Sequence, residues 1–499
     1  MRRVWIRELS GWSGALALAL ITVAQVASSA RSELLFRDAD SLIVAMFSRS
    51  LLSGRPQDWA MSSVLFLPES TAFTALDTVL PLDVNGLLAV SAVCNLLAPY
   101  GALRVVAGRR REGSAPVAWS LVGLGAFSLL AMTDASASRD ALELASLLLT
   151  TTYYAATVLA VVLSVGLVRR VIDRDHGGVA LLVGLGMTAA VSTLSNPLYA
   201  AWATVPIVLL LSVMLLRSSQ RIRTAMLLVV LLIGTALGFL GRIPFQAWIA
   251  NTGAGYVRPA LWADSLGYYT HLLADRLSTP LGVIGSLIVV ALLVLAVIRT
   301  IHAADAGSAF VAGAGWLMPA LVVIGAIALG THAARYLQPL AFAPVLALVA
   351  MPRAVPVPVR VRSLLAAAAA VLLAFGGALS VPRLVSASET TDPDLVCVTD
   401  WVNASGRTGA GQFWTVRLPK MHLDDPARLV QVDHELNGYA WLVDRNDFDV
   451  GEVSFLVEDA QSVAWDLPAP ATPDEVIDCG RYRILDFGES TLPIGPQRS

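Results

Sequence analysis

Phe36-Arg37-Asp38-Ala39-Asp40 stands just past an apolar run at 11–30. An arginine and two carboxylates are placed where the chain would leave a hydrocarbon layer. Charges at that depth are costly unless they are paired, hydrated or used. The run before them is long enough to cross a core of roughly 30 Å, and similar runs recur along the chain. We read about eleven spans, near 11–30, 84–107, 116–132, 145–168, 179–194, 198–216, 224–240, 280–298, 309–329, 336–351 and 363–380.

Composition agrees with a polytopic membrane protein. Of 499 residues, 56% are hydrophobic and only 14% charged, where a soluble domain carries about 25% charged residues. The net charge of −2 gives no reason to invoke nucleic acid. Arg2, Arg3 and Arg7 followed by an apolar stretch and Ser28-Ser29-Ala30 also match a cleavable signal. The length of the run favours retention as a first span.

Arginine sets the expected orientation. Arg2, Arg3 and Arg7 precede the first span. Arg109, Arg110 and Arg111 follow the second, Arg169, Arg170 and Arg174 the fourth, and Arg217, Arg221 and Arg223 the sixth. Arg299 follows the eighth, and Arg353, Arg360 and Arg362 the tenth. All fall on one side under this assignment, the cytoplasmic side. The opposite, extracytoplasmic side then receives 31–83, 241–279 and the C-terminal tail. The expected organisation is a membrane α-helical domain, 1–385, with a long first outer loop, 31–83. An extracytoplasmic α/β or mostly-β domain follows at 386–499. Phe413-Trp414-Thr415-Val416 and Val453-Ser454-Phe455-Leu456-Val457 read as strands there, and the end of the chain, with Pro493, Gly495 and Pro496, reads as disordered. Cys94 reads as a packing residue within a span. Cys397 and Cys479 bracket the tail and can bridge in an oxidising compartment.

The first outer loop holds the strongest chemistry. Ser41 to Ser48 mix apolar and polar positions at helical spacing, as a helix lying along a membrane surface would. Gly54 and Pro56 end it, and Pro68-Glu69 follow. Asp38, Asp40 and Glu69 are candidates to meet at the outer boundary, with a divalent cation (Mg or Mn) as an option for that set. A carboxylate can take a proton from an attacking hydroxyl. An arginine or a cation can stabilise a departing phosphate. Asp-x-Asp is a weak pattern, and Asp38 or Asp40 can equally cap the following helix.

Two later clusters suit a lipid-phosphate ligand. His332-Ala333-Ala334-Arg335-Tyr336-Leu337-Gln338-Pro339 offers a planar guanidinium for phosphate, or an interfacial Arg-Tyr anchor. The third outer segment brings Arg242, Arg258, Trp262, Tyr268, Tyr269, His271 and Arg276. Those aromatics suit sugar stacking as well as an aromatic belt. Asn196, in Ser195-Asn196-Pro197, is first a turn residue and second a substrate contact. Asp134 and Asp140 read as solvated, and Tyr153 and Tyr154 as packing or belt residues of the fourth span. Asp433-His434-Glu435 is poor evidence for a metal.

This order of parts resembles the GT-C superfamily of polyprenyl-phosphate-sugar-dependent glycosyltransferases. The matching parts are a first span, an acidic motif directly after it, a long outer loop with a surface helix, further spans and an outer C-terminal domain. The resemblance covers the architecture of the whole chain, while its specific motif is only Phe36-Arg37-Asp38-Ala39-Asp40 with Pro68-Glu69 behind it. It implies a transferase of the cell envelope that uses an aspartate of the first outer loop as base, here Asp38 or Asp40. The donor would be a polyprenyl-phosphate sugar, a lipid-linked sugar. The acceptor would be a glycan or lipid at the outer face, with inversion at the anomeric centre. Arg335, helped by Arg37 or Arg258, would hold the phosphate. Glu69, Tyr268, Tyr269, His271, Tyr336 and Asn196 are candidate substrate contacts. The alternatives are a non-catalytic membrane scaffold and, with less support, a transporter or lipid flippase, whose ionisable residues belong at mid-membrane.

Overall fold

The computed structural model describes residues 2–109, 112–174, 178–217, 221–356, 358–467 and 471–498; Arg110 and Arg111 of the basic loop lie outside them. The chain forms two compact units. One comprises Met1–Leu34, Leu88–Ile243 and Gly255–Ser388. The other comprises Leu35–Leu87, Pro244–Ala254 and Glu389–Ser499. The tail therefore starts at Glu389, and most of the expected first outer loop clusters with it.

The first unit is helical. Among the described residues, seven helices are long and apolar enough to cross a membrane: Trp5–Ala27, Val84–Val106, Ala155–Ile172, Arg221–Phe245, Pro280–Ile301, Ala306–Ala328 and Arg360–Ser388. The other four expected spans fall on shorter apolar helices, Pro116–Met132, Val179–Ser195, Ala200–Leu216 and Ala334–Ala350.

Two segments depart from the expected helices. The fourth span begins at Ala155, not near 145. Before it come a 3-10 turn, Ser146–Leu149, and Tyr154 at φ 68°. Residues 143–155 are all buried in the protein, so Tyr153 and Tyr154 precede the helix. Thr150 explains part of the break: its hydroxyl donates to Leu147 O (2.8 Å) and accepts from Tyr153 N (3.3 Å), competing with helical pairing. The tenth span is cut into Ala334–Leu337, Pro339–Phe342 and Leu346–Ala350. Pro339 and Pro344 cannot donate to a helical ladder.

Small residues set the closest helix contact. A Cβ on Gly238 would lie 2.6 Å from Ala190 O, and one on Gly234 2.5 Å from Gly186 O. The Val179–Ser195 and Arg221–Gly241 helices thus touch backbone to backbone, as Gly-xxx-Gly spacing permits. Cys94 is free and exposed and does not pack inside the unit. Arg169 donates to Val106 O (2.8 Å) and Val349 O (3.0 Å), satisfying carbonyls at two helix ends.

The second unit is built on a seven-stranded mixed sheet. Its order is Gly495–Arg498, Asn437–Tyr439, Leu429–Val432, Gly409–Gln412, Phe455–Glu458, Tyr482–Asp486, Glu475–Cys479. The central strand, Gly409–Gln412, is parallel to both neighbours. The Phe413–His422 helix carries the chain from it to Leu429–Val432. The run from Phe413 is therefore helix, whereas Phe455–Glu458 is a strand as expected. The chain end is ordered as strand: Leu492–Pro493 pairs with Glu452–Val453, and Gly495–Arg498 pairs with Asn437–Tyr439 at the sheet edge, where proline is tolerated.

The loop residues join this unit by backbone pairing. Trp59 and Ala60 pair antiparallel with Asp444 and Val443. Ala250 N donates to Met61 O (2.9 Å). Cys397 and Cys479 form a disulfide, tying the Pro393–Ser405 helix to the sheet's other edge strand. Closing a loop of that length stabilises a fold by about 2–4 kcal/mol. Replacing Cys397 with serine is expected to lower the stability of the second unit by that amount. Tryptophan-monitored denaturation, with and without reductant, checks this: reduction should shift the wild type but not the variant.

Candidate functional site

The acidic motif lies in the second unit. A π-helical turn, Glu33–Arg37, takes in its first two residues. Asp38 then closes a tight turn: Ser41 N donates to Asp38 O (2.8 Å) and to Asp38 Oδ2 (3.2 Å). The turn feeds the Ile43–Leu52 helix. That helix was expected to lie along a membrane surface, but Ile43 to Ser48 are buried in the unit. Phe47 packs edge-on to Trp59 (5.2 Å) and Trp248 (5.9 Å), so this apolar face is already covered. Arg37 stands 4.0 Å from Asp392, which caps the Pro393–Ser405 helix. Glu69 is in the first turn of the Leu67–Val79 helix, where a negative charge is favoured.

Arg417 is the residue that sequence reasoning missed. It is fully buried. Its Nε donates to Ala39 O (2.8 Å), between the two aspartates. Its Nη1 donates to Leu442 O and to Gln431 Oε1 (3.4 Å). The guanidinium lies over the Phe413 ring at 4.9 Å. Burial pushes Arg417 down to about 10, and the charges of Asp40, Asp38 and Asp447 oppose that fall. Asp447 is also paired with Lys420 (2.9 Å), the chain's single lysine. The available signal was the pair of cations Arg417 and Lys420 inside the otherwise apolar run from Phe413 to Met421.

Among the described residues, no group of three or more His, Cys, Asp or Glu is placed to hold a metal ion. Asp38, Asp40 and Glu69 do not form such a group. Asp433 instead orders its own turn, accepting from Glu435 N and Asn437 N (2.9 Å each), and Glu435 pairs with Arg498 (2.8 Å).

The first unit brings together the other two predicted clusters. Tyr269 Oη shares a hydrogen bond with Thr331 Oγ1 (2.8 Å) and donates to Ala333 O (3.3 Å). Ser265 Oγ donates to Thr331 O (2.6 Å). The Tyr268 ring meets the His332 ring at 5.3 Å. Burial pushes Tyr268 up to about 12, with Asp140 adding to the effect, and burial also raises Tyr269. Arg258 N donates to Leu329 O (2.8 Å), which sets Arg258 beside the same segment with its side chain exposed. Arg335 Nε donates to Tyr154 Oη (3.2 Å), and its guanidinium lies 5.8 Å from the Tyr336 ring centre. Arg335, Tyr336, Tyr268, Tyr269 and Arg258 are thus neighbours, although the Trp262–Leu277 helix with the turn before it and the distant Ala334–Leu337 turn supply them.

Two other candidates sit elsewhere. His271 is exposed and faces Asp275 at 3.4 Å. Asn196 is buried; its Nδ2 donates to Thr157 Oγ1 (3.0 Å) and its Oδ1 accepts from Leu198 N (3.0 Å), as a turn residue does. Asp140 is exposed as expected, but Asp134 is 2% exposed and not solvated. Asp134 pairs with Arg276 (3.0 Å) and accepts from Ser146 N (2.8 Å). Beside it Arg31 is buried, 3.6 Å from Glu143, and donates to Ser146 Oγ and to Ser136 and Ser138 carbonyls. These bonds order the irregular segment that precedes Ala155.

No protein-family model matches the sequence, and no curated protein matches it at a significant level.

Breaking a buried ion pair leaves one charge uncompensated, at a cost of about 3–5 kcal/mol. Arg31→Met is expected to destabilise the first unit on that scale, while Asp140→Asn is expected to be neutral. Thermal unfolding in detergent checks the contrast; equal midpoints would mean that the Arg31 network contributes nothing.

Proposed function

We propose that this chain is an integral-membrane glycosyltransferase of the GT-C type. It would move a sugar from a polyprenyl-phosphate donor to a cell-envelope acceptor. The observation that carries the reading is the acidic motif. Two carboxylates follow the first apolar helix directly, in a turn pinned by Ser41 and by a buried arginine. In this reading Asp38 or Asp40 accepts the proton of an acceptor hydroxyl. The hydroxyl oxygen attacks the anomeric carbon as the bond to the phosphate oxygen breaks. The polyprenyl phosphate leaves with the bonding pair, and the centre inverts. Arg335, set among Tyr154, Tyr336, Tyr268 and Tyr269, is the candidate partner for the phosphate.

The seven long and four shorter apolar helices are the proposed eleven spans. The arginine-rich loops are assigned to the cytoplasm, and the C-terminal region is assigned outside it. The Cys397–Cys479 bridge supports that side, because disulfides persist in oxidising compartments. A scaffold is the second reading. The Asp38 turn favours it, since a carboxylate accepting Ser41 N orders its own turn.

The test uses purified protein with a radiolabelled panel of polyprenyl-phosphate sugars and a cell-envelope acceptor extract. Wild type should transfer label. Asp38→Asn or Asp40→Asn should lose about 10²- to 10⁴-fold, and Arg335→Gln about 10²- to 10³-fold, with folding intact. Undiminished transfer in both aspartate variants would sink the carboxylate mechanism. Absence of transfer across the panel favours the scaffold.

A further inference from the structure

We propose that Arg417 is the positioning residue of the acidic motif. From the Phe413–His422 helix it holds the Ala39 carbonyl and supplies the buried positive charge against which Asp38 and Asp40 are set. The catalytic part of this inference rests on the transferase reading; the coupling itself does not.

Three observations carry it. First, place: residue 417 reaches back across the sequence to the one peptide that separates Asp38 from Asp40. Fixing that carbonyl constrains both aspartates at once, because each is its immediate neighbour. Second, the guanidinium is fully buried, and a buried charge is sustained only by counter-charge and hydrogen bonds. Its acceptors are all neutral: Ala39 O, Leu442 O and Gln431 Oε1. The negative charges that favour its charged form are Asp40, Asp38 and Asp447. Asp40 and Asp38 act on it more strongly than Asp447, which is also paired with Lys420 at 2.9 Å. Third, Arg417 Nη2 is buried with no hydrogen-bond partner among the described residues. A buried unsatisfied donor is rarely kept without a reason. Here it leaves the fork able to take up a carboxylate oxygen when the motif tightens around a substrate.

The two roles are complementary. A lysine could supply the charge, but not the planar fork that bonds Ala39, Leu442 and Gln431 together. Gln431 Oε1 accepts from the fork at 3.4 Å, while its Nε2 donates to Tyr439 O and Trp441 O (2.8 Å each).

A double-mutant cycle on the full-length chain tests the coupling, with tryptophan-monitored denaturation as readout. Arg417→Gln and Asp40→Asn each leave part of the charge set uncompensated, so the double variant should be less destabilised than the sum of the two. Additive effects would overturn the proposal, because a merely structural arginine bonded to Ala39 O gains nothing from Asp40→Asn. If Arg417→Gln does not fold, the single variants decide. At least one of Asp38→Asn and Asp40→Asn must then lower the midpoint, and no shift in either overturns the inference. In the transfer assay, Arg417→Lys should lower kcat at least tenfold with KM unchanged; an unchanged kcat speaks against a positioning role. Absence of transfer in wild type would remove the transferase reading while leaving the cycle readable.

Discussion

A guanidinium taken out of water must find an acceptor or a counter-charge for its N–H groups, and three buried arginines organise much of this chain under that constraint. Arg31 gathers the carbonyls and hydroxyl of 136–146, a segment that makes little regular structure of its own. Arg169 collects the carbonyl ends of two helices. Arg417 collects Ala39, Leu442 and Gln431. In each case one side chain satisfies backbone groups from segments distant in sequence. An unpaired buried carbonyl or N–H costs about 1–3 kcal/mol, so these forks let irregular backbone exist inside the protein. Arginine suits the task better than lysine because its donors are fixed in a plane.

The same constraint shapes the candidate site. Asp38 is drawn into a turn by Ser41, and Ala39 is held by Arg417. The motif is therefore placed by a helix that begins some 375 residues later, within a unit that joins residues 35–87, 244–254 and 389–499. In the helical unit, Arg335 is oriented by Tyr154, and the Thr331–Ala333 backbone is bound by Tyr269 and Ser265. Each group of candidate residues is held by hydrogen bonds that can be named.

Some of this was legible in the sequence. Apolar runs long enough to cross a bilayer announce themselves, because burial of that much apolar surface dominates any local preference. Their positions agree with apolar helices even where the ends move. The misreadings have specific causes. The stretch from Phe413 carries aromatic and β-branched residues and reads as a strand. The strand is instead the preceding Gly409–Gln412, where a side chain at 409 would strike Phe455 and one at 411 would strike Val416 and Val457. Residues 145–154 are apolar enough to continue a span, yet they are buried by protein and broken by threonine hydroxyls. Asp134 reads as solvated from its loop position and is buried against Arg276.

By itself the sequence determined the apolar helices, the change of character near residue 386, and the acidic motif after the first helix. These are carried by local composition, and composition is a property of neighbours in the chain. Only the tertiary structure decided that Cys397 meets Cys479, that Trp59 and Ala60 pair with the tail, and that Arg417 bonds Ala39 between Asp38 and Asp40. Those contacts join residues tens to hundreds of positions apart. Their partners are chosen by packing and by the need to compensate buried charge, and no short window of sequence records that choice.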